Sequence, residues 1–356
     1  MQEMGNAIEV VSLDDPKAEF VKNYSLRLHA LGPGLTQWAF SSNLVNWLGA
    51  NATRYDAIVV DGIWQHHGLA ARAAALRAGV PYFVFPHGML DPWFKTAYPL
   101  KHLKKWLVWP WADYRVLRDA RAVLFTCEEE RRLAKKSFWL YKANAIVVPF
   151  GTARPPAETP EMHAQFYAEQ PQLSGKRILL FLGRIHEKKG CDLLVEAFCK
   201  VAKQEPLLHL VMAGPGNGAL VESLKARIET YQLSDRVHWT GMLQGATKWG
   251  AFYASEAFVL PSHQENFGVA VAEALACGRP VLISNKVNIW REIAEGRAGF
   301  VSQDTDQGTE DLLKEWLKTT PTQKRALQLA ALQTFERKFS VDIMASGTLA
   351  AIENML

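Results

Sequence analysis

LPSHQENFGVAVAEALACGRPVLIS, residues 260–284, decides the fold of this chain. An apolar run stops at Pro261, and a short polar loop follows. A helical stretch then begins near Phe267 and Gly268 and runs to Cys277, where Gly278 supplies the usual stop. A second apolar run follows at once, so the stretch reads as strand, loop, helix and strand. The first N–H groups of a helix have no intrahelical partner and carry partial positive charge, which makes them an anion site. Gly268 at that point lets another group approach the backbone closely. Glu265 sits in the loop and Glu273 eight positions later in the helix, so both carboxylates edge the same site. A carboxylate accepts two hydrogen bonds from vicinal hydroxyls, the arrangement a ribose or hexose diol offers. The plainer alternative makes Glu265 a helix-start charge and Glu273 a surface residue.

Upstream, FLGRIHEKKG (181–190) follows another apolar run. Gly183 ends that run, which leaves Arg184 and Lys189 on a strand-to-helix loop, the end where open α/β sheets bind ligands. Arginine offers a planar fork to phosphate and lysine a point charge. A solvated basic turn is the alternative, since Glu187 and Lys188 are mixed in. LVMAGPGNG (210–218) clusters Gly214, Gly216 and Gly218 after a strand, a turn that admits a phosphate or base but lacks the dinucleotide spacing. In Trp239, Thr240, Gly241 and Met242 a strand ends in glycine, where exposed backbone groups can read a nucleobase edge.

The whole chain alternates in the same way. Apolar runs at 8–13, 57–61, 82–86, 122–126 and 145–148 predict strands in the first half, and those at 177–182, 208–213, 237–240, 257–260 and 280–284 in the second. Between the halves, a segment rich in Pro, Glu, Thr and Gln is expected to be a linker. The expected organisation is a domain over 1–152, a linker over 153–175, a second domain over 176–334, and a C-terminal helix over 335–356 crossing back to the first. At 356 residues the chain has room for two cores. Hydrophobic residues at 49% and charged ones at 21% exclude disorder. A net charge of +4 is too mild for nucleic-acid binding, and a basic cleft for a phosphorylated small molecule accounts for it. Cys127, Cys191, Cys199 and Cys277 form no C-x-x-C pair and read as thiols in a reducing compartment. No signal peptide or membrane-spanning run is evident, so the expected location is the cytoplasm.

Four motifs in order then resemble the donor-binding half of GT-B glycosyltransferases, in particular family 4 retaining enzymes of the exopolysaccharide type. They are GRIHEKKG (183–190), MAGPG (212–216), TGML (240–243) and ENFGVAVAE (265–273). The resemblance implies an α/β fold of two Rossmann-like domains with a cleft between them. It implies that Arg184 and Lys189, beside Gly183 and Gly214, hold the diphosphate of a UDP-sugar. Glu273 would bind the ribose diol, and Glu265 hydroxyls of the transferred sugar. Backbone N–H groups of Asn266, Phe267, Gly268 and Val269 would surround phosphate and sugar, with Thr240, Gly241 and Met242 at the base. FPHGMLDPW (85–93) and DGIWQHHG (61–68) resemble the acceptor-side motifs, which places His87 near the reacting sugar. His66, His67 and His102 read as structural. Relatives begin with a strand, a glycine-rich loop and a helix ahead of a segment like 5–16, and that unit is absent from this sequence.

Residues 95–118 mix Lys95, Lys101, Lys104, Lys105, Arg115 and Arg118 with Trp106, Trp109 and Trp111, and Trp93 precedes them. Such a segment lies either in a membrane interface or with its tryptophans in the core. The expected activity is metal-independent transfer of a hexose, with UDP-glucose as first choice, onto a growing polysaccharide or lipid-linked glycan with retention. No metal and no cofactor are expected. Glu265 is a conceivable nucleophile, but front-face displacement assisted by the departing phosphate suits it better. A UDP-sugar epimerase of the same superfold and a non-catalytic sugar-nucleotide sensor are the rival readings. The expected site is the cytoplasm, with peripheral contact at the inner face of the plasma membrane.

Overall fold

The first half forms six strands, all but β2 rich in β-branched or aromatic residues: β1 (Glu9–Ser12), β2 (Arg27–Ala30), β3 (Ile58–Asp61), β4 (Tyr82–Phe85), β5 (Ala122–Phe125) and β6 (Ala145–Val147). The second half adds β7 (Arg177–Leu182), β8 (Leu208–Ala213), β9 (Val237–Gly241), β10 (Ala257–Leu260), β11 (Val281–Ser284) and β12 (Gly299–Ser302). The computed structural model describes residues 1–216 and 218–356; Asn217, inside the glycine-rich stretch 210–218, lies outside the described residues. The chain divides into one unit of 1–149 with 344–356 and a second of 150–343.

In the first unit β3-β4-β5-β6 form a parallel sheet, while β1 and β2 pair with each other. Val84, Val123 and Phe125 are fully buried, with the fully buried Trp109 in the same core. In the second unit the order β12-β11-β10-β7-β8-β9 makes one six-stranded parallel sheet. Ile178 to Phe181, Leu208, and Leu210 to Ala213 have no exposed surface, as strands covered on both faces require. Each of the larger of these side chains contributes about 1.5–3 kcal/mol by leaving water. The strand order reverses between β7 and β10, the switch point at whose carboxyl ends open α/β sheets bind ligands.

Three features differ from the sequence-based expectation. β2 and β12 were not anticipated, because RLHA and GFVS are edge strands of half-buried residues without a continuous apolar run. The stretch 153–175 belongs to the second unit rather than linking two. It carries the helix Pro160–Glu169, which buries Met162 and Phe166; Pro160 starts this helix at its first turn, where the missing N–H costs nothing. At the C-terminus, 335–339 form a short π turn within the second unit. The helix Val341–Glu353 then passes into the first, where Ile352 joins Phe83, Leu124 and Val148.

Candidate active site

Three strand ends are laced together at the carboxyl edge of the six-stranded sheet. Gly183 N–H donates to Ala213 O at 2.9 Å and Gly214 N–H to Gly241 O at 2.7 Å. Gly214 has φ +140, and a Cβ there would stand 1.9 Å from Gly183 O, so only glycine fits. Ile185 N–H reaches Pro215 O at 2.8 Å, which binds the loop carrying Arg184 to the glycine-rich turn. Beyond Gly241, Met242 is exposed while Leu243 is buried, so Thr240, Gly241 and Met242 present backbone and a sulfur at the edge.

The loop after β10 is pinned to its neighbours. Ser262 Oγ and His263 N–H both donate to Lys188 O, at 2.8 and 2.9 Å. Glu265 N–H donates to Lys286 O and Glu265 O accepts from Asn288 N–H, each at 2.9 Å. Asn266 Oδ1 accepts from Asn288 Nδ2 at 3.4 Å. Gly268, at φ +77, caps the helix Val269–Ala276, and Val271 and Ala272 N–H groups bond its carbonyl. The N–H groups of Val269 and Ala270 lie ahead of these bonds, at the positively polarised end of the helix. Phe267 is spent on packing: its ring sits 4.9 Å from Phe150 and 5.6 Å from Phe339, centroid to centroid.

Charges converge on this edge. The Arg184 side chain is exposed, and among the described residues it has no ion-pair partner. Lys189 Nζ is hydrogen-bonded to Glu265, the two side chains being 19% and 16% exposed. Lys248 Nζ bonds Glu273 Oε1 at 2.7 Å, at 21% and 13% exposure. Each glutamate of the pair thus has its own lysine. Lys248 was not singled out in the sequence, because a lysine in a helix has no motif around it. Asp192, at 3.9 Å, and Asp304, at 3.2 Å, hold the His263 imidazole above its ordinary pKa against the opposing effect of burial. These contacts fix the loop leading to Glu265.

In the first unit His87 follows β4 at φ +47, a backbone angle that Gly88 and the turn around it maintain. Gly88 N–H donates to the buried Glu130 at 2.6 Å, and Thr126 donates to the same carboxylate through N–H and Oγ1. The His87 ring stacks on Phe85 at 5.2 Å, and its Nε2 is hydrogen-bonded to Asp61. Burial lowers the affinity of His87 for its proton, but Asp61 outweighs this and the pKa is raised. Asp61, at the end of β3, is a partner the sequence reading left without a role. His66 packs against Phe40 at 4.7 Å, His67 Nε2 lies 3.2 Å from Asp61 O, and His102 stacks on Phe138.

Residues 164–331 match the family described as glycosyl transferases group 1, and residues 1–151 the glycosyl transferase 4-like domain. The chain is 32% identical over 142 residues to the mannosylfructose-phosphate synthase of Agrobacterium fabrum, covering 38% of this chain and 31% of that protein. It is 32% identical over 145 residues to a D-inositol 3-phosphate glycosyltransferase of Arthrobacter, covering 40% and 34%. The chain therefore spans about a third of the length of these curated relatives. Among solved structures, a glycosyltransferase from Rickettsia africae superposes with a TM-score of 0.78 at 15% identity, over 99% of this chain and 91% of that one. The Anabaena protein HepE, solved with UDP and glucose, superposes with a TM-score of 0.73 at 16% identity, over 98% and 92%. At such identities the superpositions speak for the fold.

Proposed function

The chain belongs to the GT-B glycosyltransferases of the family 4 type, and on that premise we propose that it transfers a hexose, glucose from UDP-glucose in the first instance, to a growing polysaccharide or lipid-linked glycan. The observation that carries this reading is the gathering of Arg184, Lys189, the start of the helix Val269–Ala276 and two lysine-held glutamates on the loops and helices that follow the carboxyl ends of one sheet. Arg184, Lys189 and the helix N–H groups stabilise the charge that grows on the departing diphosphate, so no metal is required. The bond from the anomeric carbon to the phosphate oxygen breaks with its electron pair going to the diphosphate. The acceptor hydroxyl attacks the same face, its proton passes to the leaving phosphate oxygen, and configuration is retained. Glu265, tied to Lys189, holds sugar hydroxyls rather than attacking. His87, held by Asp61 in the first unit, donates to a sugar hydroxyl in this reading. Arg184 and Lys189 with Gly183 and Gly214 take the diphosphate, Glu273 the ribose, and Thr240 to Met242 the base.

The acceptor chemistry is supported by a second surface. Among the described residues of the helix Pro99–Val108 none is buried; Leu100 is 76% and Leu107 64% exposed, with Trp111 at 69% beside it. No acidic residue occurs between 92 and 112, whereas Lys95, Lys101, Lys104 and Lys105 do. An apolar face rimmed by lysines suits the anionic inner face of a plasma membrane, where a lipid-linked acceptor would be met. No described helix is long and apolar enough to cross a membrane. The test is a panel of nucleotide sugars with glycan and lipid-linked acceptors, run with and without EDTA. Transfer from UDP-glucose in EDTA, with the new linkage retaining the donor's anomeric configuration, is the expected result. Failure to bind any nucleotide sugar would overturn the reading, and an acceptor-independent isomerised product would replace it with an epimerase.

A further inference from the structure

Glu273 makes one side-chain hydrogen bond, through Oε1 to Lys248, and among the described residues its Oε2 has no partner. We infer that Lys248 is a positioning residue for ribose recognition: it fixes the plane of the Glu273 carboxylate so that Oε2, with the outer lone pair of Oε1, faces a vicinal diol. The inference rests on the assignment of Glu273 to the ribose.

The geometry around Lys248 is built to hold a position. The residue sits in the first turn of the helix Gly245–Ala254, just after the exposed Met242 turn. That helix is docked rigidly on Pro160–Glu169. A Cβ on Gly250 would stand 2.2 Å from Met162 O, and Thr247 Oγ1 donates to Glu169 at 2.8 Å. The lysine stem is restrained in turn, its ammonium lying 4.4 Å from the centre of the Trp249 ring. A carboxylate without such a partner rotates more freely about its last torsion and must be ordered when ligand binds, at an entropic cost. Lys248 meets that cost in advance. Its charge also offsets that of Glu273, which would otherwise repel an incoming diphosphate. Lys189 stands in the same relation to Glu265, but from the loop assigned to the phosphates; Lys248 comes from the helix following the base-side turn, so it ties base recognition to ribose recognition.

The test compares UDP with its 2′,3′-dideoxy analogue by calorimetry in the wild type and in Lys248→Met, Lys248→Arg and Glu273→Gln. Methionine keeps most of the stem and its packing while removing the charge. The wild type should prefer the ribose form by about tenfold or more, the scale of a hydrogen bond to a charged group. Lys248→Met should bring that ratio down close to that of Glu273→Gln, and Lys248→Arg should restore part of it. The double variant should lose no more discrimination than Glu273→Gln alone. If Lys248→Met weakens both ligands equally, the lysine touches phosphate or serves only the fold, and the inference is overturned. An unchanged ratio overturns it too. A wild type that binds UDP without discriminating removes the ribose assignment of Glu273, and one that binds neither ligand removes the donor-site reading itself.

Discussion

Replacing Glu265 by glutamine should tighten UDP binding while slowing turnover. Lys189 is hydrogen-bonded to Glu265, in a pair whose side chains are 19% and 16% exposed. An ammonium has three donors, so Lys189 can keep Glu265 and take a phosphate oxygen as well. Two acceptors on one tetrahedral ammonium, each at about 2.8 Å, stand roughly 4.6 Å apart. Two like charges at that distance repel by about 0.9 kcal/mol in a water-like dielectric and about 3.6 kcal/mol at an effective value of 20. Glutamine removes this repulsion, but it also loosens the hold that keeps Lys189 in place, worth up to about 1 kcal/mol for a partly exposed pair. With the full loss subtracted, the net gain lies between about 0 and 2.6 kcal/mol, and the midpoint of about 1.3 kcal/mol is a roughly ninefold tighter complex with UDP, which contains no hexose. Turnover should fall, because the lost hydrogen bonds place the sugar for reaction. Glu273→Gln should do the reverse and weaken UDP. Calorimetric titration with UDP and donor turnover, measured side by side for both variants, decide the matter. If Glu265→Gln loses UDP affinity as strongly as Glu273→Gln, the placement of the two carboxylates is wrong.

The exposed Arg184 should contribute a charged hydrogen bond to the diphosphate, so Arg184→Ala should weaken UDP by about 1.5–3 kcal/mol and leave uridine unaffected; equal loss for both ligands would count against it. Gly214→Ala must strain φ and drive a methyl group into Gly183 O, so denaturant unfolding should show a loss of about 2–4 kcal/mol, whereas Gly175→Ala, at φ +71 with open space around it, should lose only about 1 kcal/mol. The hydrogen-bonded pair His209 and His238, 2.9 Å apart, is held neutral: burial lowers both pKa values, His209 to about 4 with Arg236, His238 and Lys176 adding to the effect and Asp235 opposing it. The unfolded chain therefore binds more protons between about pH 6.5 and 4, and stability present above that window should fall by about 3 kcal/mol as pH drops through it; His209→Gln should flatten this slope, and an unaltered slope would dismiss the pair as its source. Finally, the protein should sediment with anionic vesicles at low salt, be released as salt rises, and lose the association on Leu107→Ser with Trp111→Ser; equal partitioning to neutral vesicles would rule out the lysine-rimmed face.

The candidate site of the second half was legible in one dimension because its residues are local in sequence. Gly183, Arg184 and Lys189 share one loop, and Glu265, Gly268 and Glu273 share one loop and helix, so spacing alone carries their relation. Strands buried on both faces, such as RILLFL and LHLVMA, announce themselves through continuous apolar runs. Edge strands β2 and β12 carry no such run, and the prolines of 153–175 mark a helix start as readily as a linker. What tertiary structure alone decided is pairing across distance: Lys189 with Glu265, Lys248 with Glu273, and Asp61 with His87 are 76, 25 and 26 positions apart. A charged side chain shows nothing in the sequence about which opposite charge it will meet. That is set by strand order, by the reversal between β7 and β10, and by glycines whose missing side chains let three loops close on one another.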